Sequence, residues 1–203
     1  PSANLSGKPS PTTAKHVIND MSGRVDCIID AGPCCVGVES TVISLCESVP
    51  TLFRPGGFTL ESLQKLIGAV AVSDAVLSEL ENASKAQSPG MKYKHYAPTR
   101  SVCLLKGAPD KIRTFLKQKF DTEKCAIICY DEDFDIENEH VLLMGKRSGN
   151  LQYASRLFDA LRQTDTMQNI TCIYAVLPQD TSGISLAIYN RMLRAAAFNV
   201  REL

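Results

Sequence analysis

Between residues 101 and 203, short unbroken apolar runs alternate with stretches at helical spacing, and this alternation constrains the fold more than any other feature. SVCLL, CAIICY, VLLM and CIYAVLP read as buried strands. PDKIRTFLKQKF, NLQYASRLFDALRQ and ISLAIYNRMLRAAAF read as helices, the second carrying Leu151, Ala154, Leu157, Phe158 and Leu161 on one face. Strands without a polar face need cover on both sides, which a mostly parallel sheet with crossover helices provides. Residues 101–203 are therefore expected to form a Rossmann-like α/β domain. They contain no GxGxxG, so the expected fold implies no dinucleotide.

Residues 82–100, NASKAQSPGMKYKHYAPTR, are polar, hold Pro89, Gly90 and Pro98, and keep no sustained period. They read as a linker or lid. Residues 1–81 mix elements and read as a separate unit. Thr12 or Thr13 caps a helix running to about Met21, with Pro11 fixing its start. CIID, STVISL and TLF are strand-like, and Thr59 caps a helix with Leu60, Leu63, Leu66 and Ile67 on one face. AVAV follows as a short buried strand.

The charge balance removes one class of partner. Lys plus Arg and Asp plus Glu both number 22, so no global field draws the chain onto nucleic acid, and at most weak RNA binding is expected. Most of the eight cysteines sit in apolar runs, among them Cys27, Cys103, Cys125, Cys129 and Cys172. They read as buried free thiols in a reducing, cytoplasmic setting. Adjacent Cys34 and Cys35 lack the spacing and partners of a metal site. No apolar stretch approaches the roughly 20 residues of a membrane span, and no membrane partner is expected.

Four runs carry groups suited to ligands. PSANLSGKPSPTTAKHV supplies Ser2, Asn4, Ser6 and Ser10, the backbone freedom of Gly7 and the charge of Lys8, and it feeds a helix N-terminus that favours anions. The same residues also make an ordinary polar cap. GVESTV brings Glu39, Ser40 and Thr41 to a strand end, where ligands of α/β sheets gather but turn residues also collect. Arg54 closes a short apolar strand before Pro55, Gly56 and Gly57, a geometry that suits either a phosphate clamp or a solvated charge. KYKHYAP places Lys92, Lys94, His95 and Tyr96 where a loop could close over a ligand or merely tether two units.

In order and wording these runs resemble one family. SANLSG with Ser10, GVESTV, RPGG and SPGMKYKHYAP resemble the second half of the YrdC-type catalytic domain and linker of two-domain threonylcarbamoyl-AMP synthases. LPQDTSGISLAIYNRMLRAA is similar to the end of that family's C-terminal domain. The resemblance implies an α/β architecture: the C-terminal part of a twisted YrdC-like domain at 1–81, the linker at 82–100, and a Rossmann-like domain at 101–203. It implies that threonine and bicarbonate form a carbamate, which attacks the α-phosphate of ATP and releases pyrophosphate. It implies Mg²⁺ accompanying ATP and no tightly bound cofactor. The product would pass to tRNA threonylcarbamoyl transferase proteins. By the same resemblance Ser2, Asn4, Ser10, Arg54 and Tyr96 contact ATP, and Ser40 contacts L-threonine. No catalytic side chain is implied, because such a displacement is promoted by positioning and charge.

The family's Lys-x-Arg element precedes its SxN element, and here only Pro1 precedes Ser2. The chain is therefore expected to lack the first half of the catalytic domain, to leave sheet edges unpaired and to be inactive alone. Two other readings stand beside this one: a non-enzymatic RNA- or nucleotide-binding module, and a carbamoyltransferase subdomain. Neutral charge weighs against the first, and the linker and C-terminal unit weigh against the second.

Overall fold

A computed structural model describes residues 3–78 and 97–203. The continuous apolar runs of the second half build a five-stranded sheet from β4 (Ser101–Lys106), β5 (Cys125–Cys129), β6 (Val141–Leu143), β7 (Cys172–Val176) and β8 (Val200–Glu202). Its order is β6-β5-β7-β4-β8, and every neighbouring pair is parallel. Helices α3 (Pro109–Thr122), α4 (Asn150–Thr166) and α5 (Ile184–Ala195) supply crossovers. The unbroken apolar runs are explained directly, since all five residues of β5 are buried. The edge strand β8 was not expected from sequence, because VRE carries two exposed charged side chains and only its backbone pairs with β4.

The first half forms a smaller sheet, ordered β1-β2-β3, from β1 (Val42–Ser44), β2 (Thr51–Arg54) and β3 (Ala71–Val72). β1 and β2 are antiparallel, whereas β2 and β3 are parallel and joined through α2 (Leu60–Ile67). The expected caps are present. Thr13 accepts the amide of His16 at the start of α1 (Ala14–Met21), and Thr59 accepts that of Ser62 at the start of α2. CIID is a correction: residues 27–30 form no strand, and Ile29 is 89% exposed. A strand exists only through a partner's ladder, and among the described residues none pairs with this run. The cysteine reading divides for the same reason. Cys125 and Cys129 are buried in β5 and Cys103 and Cys172 are half-buried, but Cys27 is exposed.

Helix α5 explains why its sequence is apolar almost all round. Leu186 completes a small core with Leu52, Leu63, Val70 and Val76 of the first half. On other faces Ile188, Met192 and Leu193 enter the large core around the parallel sheet. Asn190 and Arg194 of the same helix donate to the carbonyls of Val76 and Ala75. One helix thus serves two cores, so both halves of the chain meet on it.

Candidate functional site

An open cavity of about 390 Å³ lies where the two halves meet, lined by Ser10, Thr12, Glu39, Ser40 and Arg54 with Phe158 from α4. Two glycines let the walls approach. Gly37 (φ +77°) sits where a Cβ would run into the backbone of Ala154 and Ser155, so the GVEST loop lies directly on α4. At Gly56 a Cβ would run into the backbone of Glu39 to Thr41, so its absence lets the RPGG turn stack on the same loop.

The polar groups of the cavity are coupled in two sets. In the first, Arg54 donates from Nε to the Ser40 carbonyl at 3.0 Å and from Nη2 to the Ser40 Oγ at 3.1 Å. Because Ser40 Oγ accepts from the guanidinium, its own O–H is left to donate to a ligand. In the second, Ser10 Oγ donates to Glu39 Oε1 at 2.7 Å, and Arg191 Nε of α5 donates to Glu39 Oε2 at 2.6 Å. Burial is the largest influence on Glu39 and pushes its carboxyl up. The Arg191 charge and the hydrogen bonds from Ser10 and Arg191 outweigh it, so the carboxyl titrates below the usual glutamate value.

The opening loop is anchored behind this cavity. Arg162 of α4 donates to the Pro9 carbonyl from Nε (3.0 Å) and Nη2 (2.6 Å), and to both Asp20 oxygens at 3.2 and 2.7 Å. Lys8 Nζ reaches the same carboxylate at 3.4 Å. The hydrogen bond from Arg162 comes first among the causes that hold Asp20 below the usual aspartate value, and it prevails over burial. His16 is fixed by its neighbours: Thr12 N–H donates to Nδ1 at 3.1 Å, so Nε2 carries the proton toward Asp159 Oδ1 at 2.9 Å. Burial, then the Arg162 charge, lowers its pKa against the pull of Asp159.

Relatives sharing nearly the whole chain decide the family. A family described as threonylcarbamoyl-AMP synthase, C-terminal domain, matches residues 58–197, and the Sua5/YciO/YrdC family, described as telomere recombination, matches 1–56. Threonylcarbamoyl-AMP synthases of Bacillus subtilis and Pyrococcus abyssi are each 40% identical over 98% of the chain. The chain belongs to the threonylcarbamoyl-AMP synthase family. It spans 57% and 58% of the length of those two proteins. The crystal structure of P. abyssi Sua5 complexed with L-threonine matches all of this chain and 58% of its own, at TM-score 0.87 and 38% identity. An α/β fold with a parallel sheet is therefore common to this chain and that synthase.

Within this family member, the cavity brings Ser10, Ser40 and Arg54 together from three separate sequence runs. Asn4 instead braces its own loop, donating from Nδ2 to the carbonyls of Leu5 and Lys8. Ser2, Tyr96 and the neighbouring Lys92, Lys94 and His95 lie outside the described residues. Sequence reasoning missed the contribution of the second half, namely Phe158 in the cavity wall and Arg191 behind Glu39. The available signal was an arginine inside an apolar helical run, which a protein keeps only when that charge has a partner. No described helix is long and apolar enough to cross a membrane.

Proposed function

We propose that this chain contributes to the site at which L-threonine, bicarbonate and ATP are converted to threonylcarbamoyl-AMP and pyrophosphate, a step of tRNA threonylcarbamoyladenosine formation. The observation that carries the reading is the convergence of Ser10, Ser40 and Arg54 on one cavity in a relative 40% identical to such synthases. The finer architecture follows this reading: 1–81 as the C-terminal part of a YrdC-like domain, 82–100 as its lid and 101–203 as a Rossmann-like domain.

The chemistry is a displacement at phosphorus. A carbamate oxygen forms a bond to the α-phosphorus, and the bond to the departing pyrophosphate breaks and gives its electron pair to that leaving group. Protein groups promote such a step by placing positive charge and hydrogen-bond donors around the oxygens. Arg54 spends two of its N–H groups on Ser40 and offers the rest of its fork to phosphate oxygens. The Ser40 O–H suits a carboxylate or carbamate oxygen of the threonine moiety. Mg²⁺ enters as the counter-ion of substrate ATP. Its ligands would be mainly the phosphate oxygens of the nucleotide, as is usual for Mg²⁺.

The test is calorimetric titration of the chain with L-threonine and with MgATP, each repeated on Ser40→Ala and Arg54→Ala. The expected result is saturable binding of both ligands, with threonine weakened by the first change and nucleotide by the second. Failure to bind either ligand, or binding of RNA alone, would overturn the reading in favour of a non-enzymatic module.

A further inference from the structure

Arg191 belongs to the C-terminal unit, yet its guanidinium reaches the carboxylate that holds Ser10. Its side chain is 0% exposed and that of Glu39 13% exposed, so their 2.6 Å contact is a buried ion pair. Arg191 also donates from Nη1 to Asn190 Oδ1 at 2.6 Å, and Asn190 is tied through Nδ2 to the Val76 carbonyl at 2.6 Å. The guanidinium is thus oriented from its own helix while its charge is delivered to the cavity wall.

We propose that Arg191 is a positioning residue for nucleotide binding: it keeps Glu39 ionised and neutralised, and through Glu39 it fixes the Ser10 hydroxyl. This rests on the reading of the cavity as a nucleotide site. The physical argument turns on what Glu39 becomes without its partner. As a carboxylate it would set an uncompensated negative charge beside bound phosphates. Once protonated it would carry an O–H of its own, and the hydrogen bond from Ser10 would lose its charge assistance. The charged state thus adds repulsion to the lost contact, whereas the protonated state loses only the charge assistance of the Ser10 hydrogen bond. The ion pair therefore links the C-terminal unit to the cavity through one defined proton and one defined hydroxyl.

The groups facing Glu39 bear out this assignment. Among the described residues, Ser10 and Arg191 supply its side-chain hydrogen bonds, and the Arg191 charge is the largest of the causes that hold its carboxyl low. Arg54, a cation that lines the cavity itself, is committed to Ser40 instead. A lysine at position 191 would restore charge without the Nε geometry. A methionine would keep much of the volume without either.

The experiment compares wild type, Arg191→Lys and Arg191→Met in two readouts. Carbon-detected NMR follows the Glu39 carboxyl through its titration. Calorimetry measures MgATP affinity from pH 6 to 8 as a ratio to wild type, which cancels titration of the nucleotide itself. In Arg191→Met the Glu39 midpoint should rise, and ATP should bind about fivefold or more weaker at pH 8, as expected for a coupling between linked elements. That deficit should shrink toward pH 6 as Glu39 protonates, and Arg191→Lys should recover most of both readouts. An unmoved midpoint, or a deficit equal at every pH and not rescued by lysine, would reduce Arg191 to a packing residue and overturn the proposal. If Arg191→Met does not fold, the Glu39 midpoint in wild type and Arg191→Lys decides. A wild-type midpoint at or above the ordinary glutamate value overturns it. If wild type binds no ATP, the nucleotide reading fails, and the NMR titration still tests whether Arg191 sets the state of Glu39.

Discussion

Arg162→Ala should cost this protein more stability than any change on its surface. Arg162 is 11% exposed and its partner Asp20 is 0% exposed, so the pair lies away from solvent screening. Two carbonyl contacts to Pro9 and two to the Asp20 oxygens end together when the guanidinium is removed. Among the described residues Asp20 then keeps Lys8 at 3.4 Å and the Leu5 amide at 3.4 Å. Removing one partner of a buried pair costs about 3–5 kcal/mol, because the other charge stays behind. At about 2–4 °C per kcal/mol for a chain of this size, Tm should fall by about 6–20 °C. The assay is differential scanning calorimetry at pH 7 on wild type, Arg162→Ala, Asp20→Asn and the double variant. The sign with pH is defined. The Asp20 carboxyl is held low in the folded state, so its stabilisation is full above the unfolded aspartate pKa and is lost as pH falls through the folded value. The penalty of Arg162→Ala should accordingly shrink in acid, and Asp20→Asn should rescue part of it. A Tm change under about 2 °C at neutral pH, or strictly additive losses in the double variant, would refute the buried-pair argument.

Arg54→Ala should weaken MgATP by about tenfold to hundredfold, equivalent to ~1.5–3 kcal/mol for a charged hydrogen bond, and Arg54→Lys should recover little because a point charge lacks the fork. Thermal unfolding run alongside should move little, since both bonds from Arg54 to Ser40 are exposed. His16 has a lowered folded pKa, so the unfolded chain binds the extra proton first, and stability should decline as pH falls below about 6.5. Calorimetry between pH 7.5 and 5.5 should show that decline in wild type and a flatter profile in His16→Gln; an equal slope in both would exclude His16 as its source. Gly37→Ala should destabilise by about 1–3 kcal/mol, because it adds a Cβ at φ +77° against the backbone of α4, and an unchanged Tm would contradict the close approach.

Much of the architecture is legible in the sequence. Continuous runs such as CAIIC cannot alternate faces, so they had to lie in a sheet covered on both sides, and β5 is buried along its whole length. Thr13 and Thr59 announced their helices because a threonine side chain meets an orphan amide locally, whatever the rest of the chain does. Ser10, Ser40 and Arg54 could be singled out because each stands in a run whose wording resembles one family. Everything that depended on a partner distant in sequence was decided only by the tertiary structure. CIID has the composition of a strand but pairs with no ladder among the described residues, and Cys27 and Ile29 are exposed. VRE has the composition of a loop, yet β4 offers it backbone partners and it becomes β8. The charge states follow the same division. Nothing in GVEST reveals that Glu39 meets an arginine 152 residues away, or that this pairing overcomes the cost of burial. Local chemistry sets caps, turns and strand character, whereas hydrogen-bond ladders and ion pairs need two segments in one place, and only the folded chain brings them there.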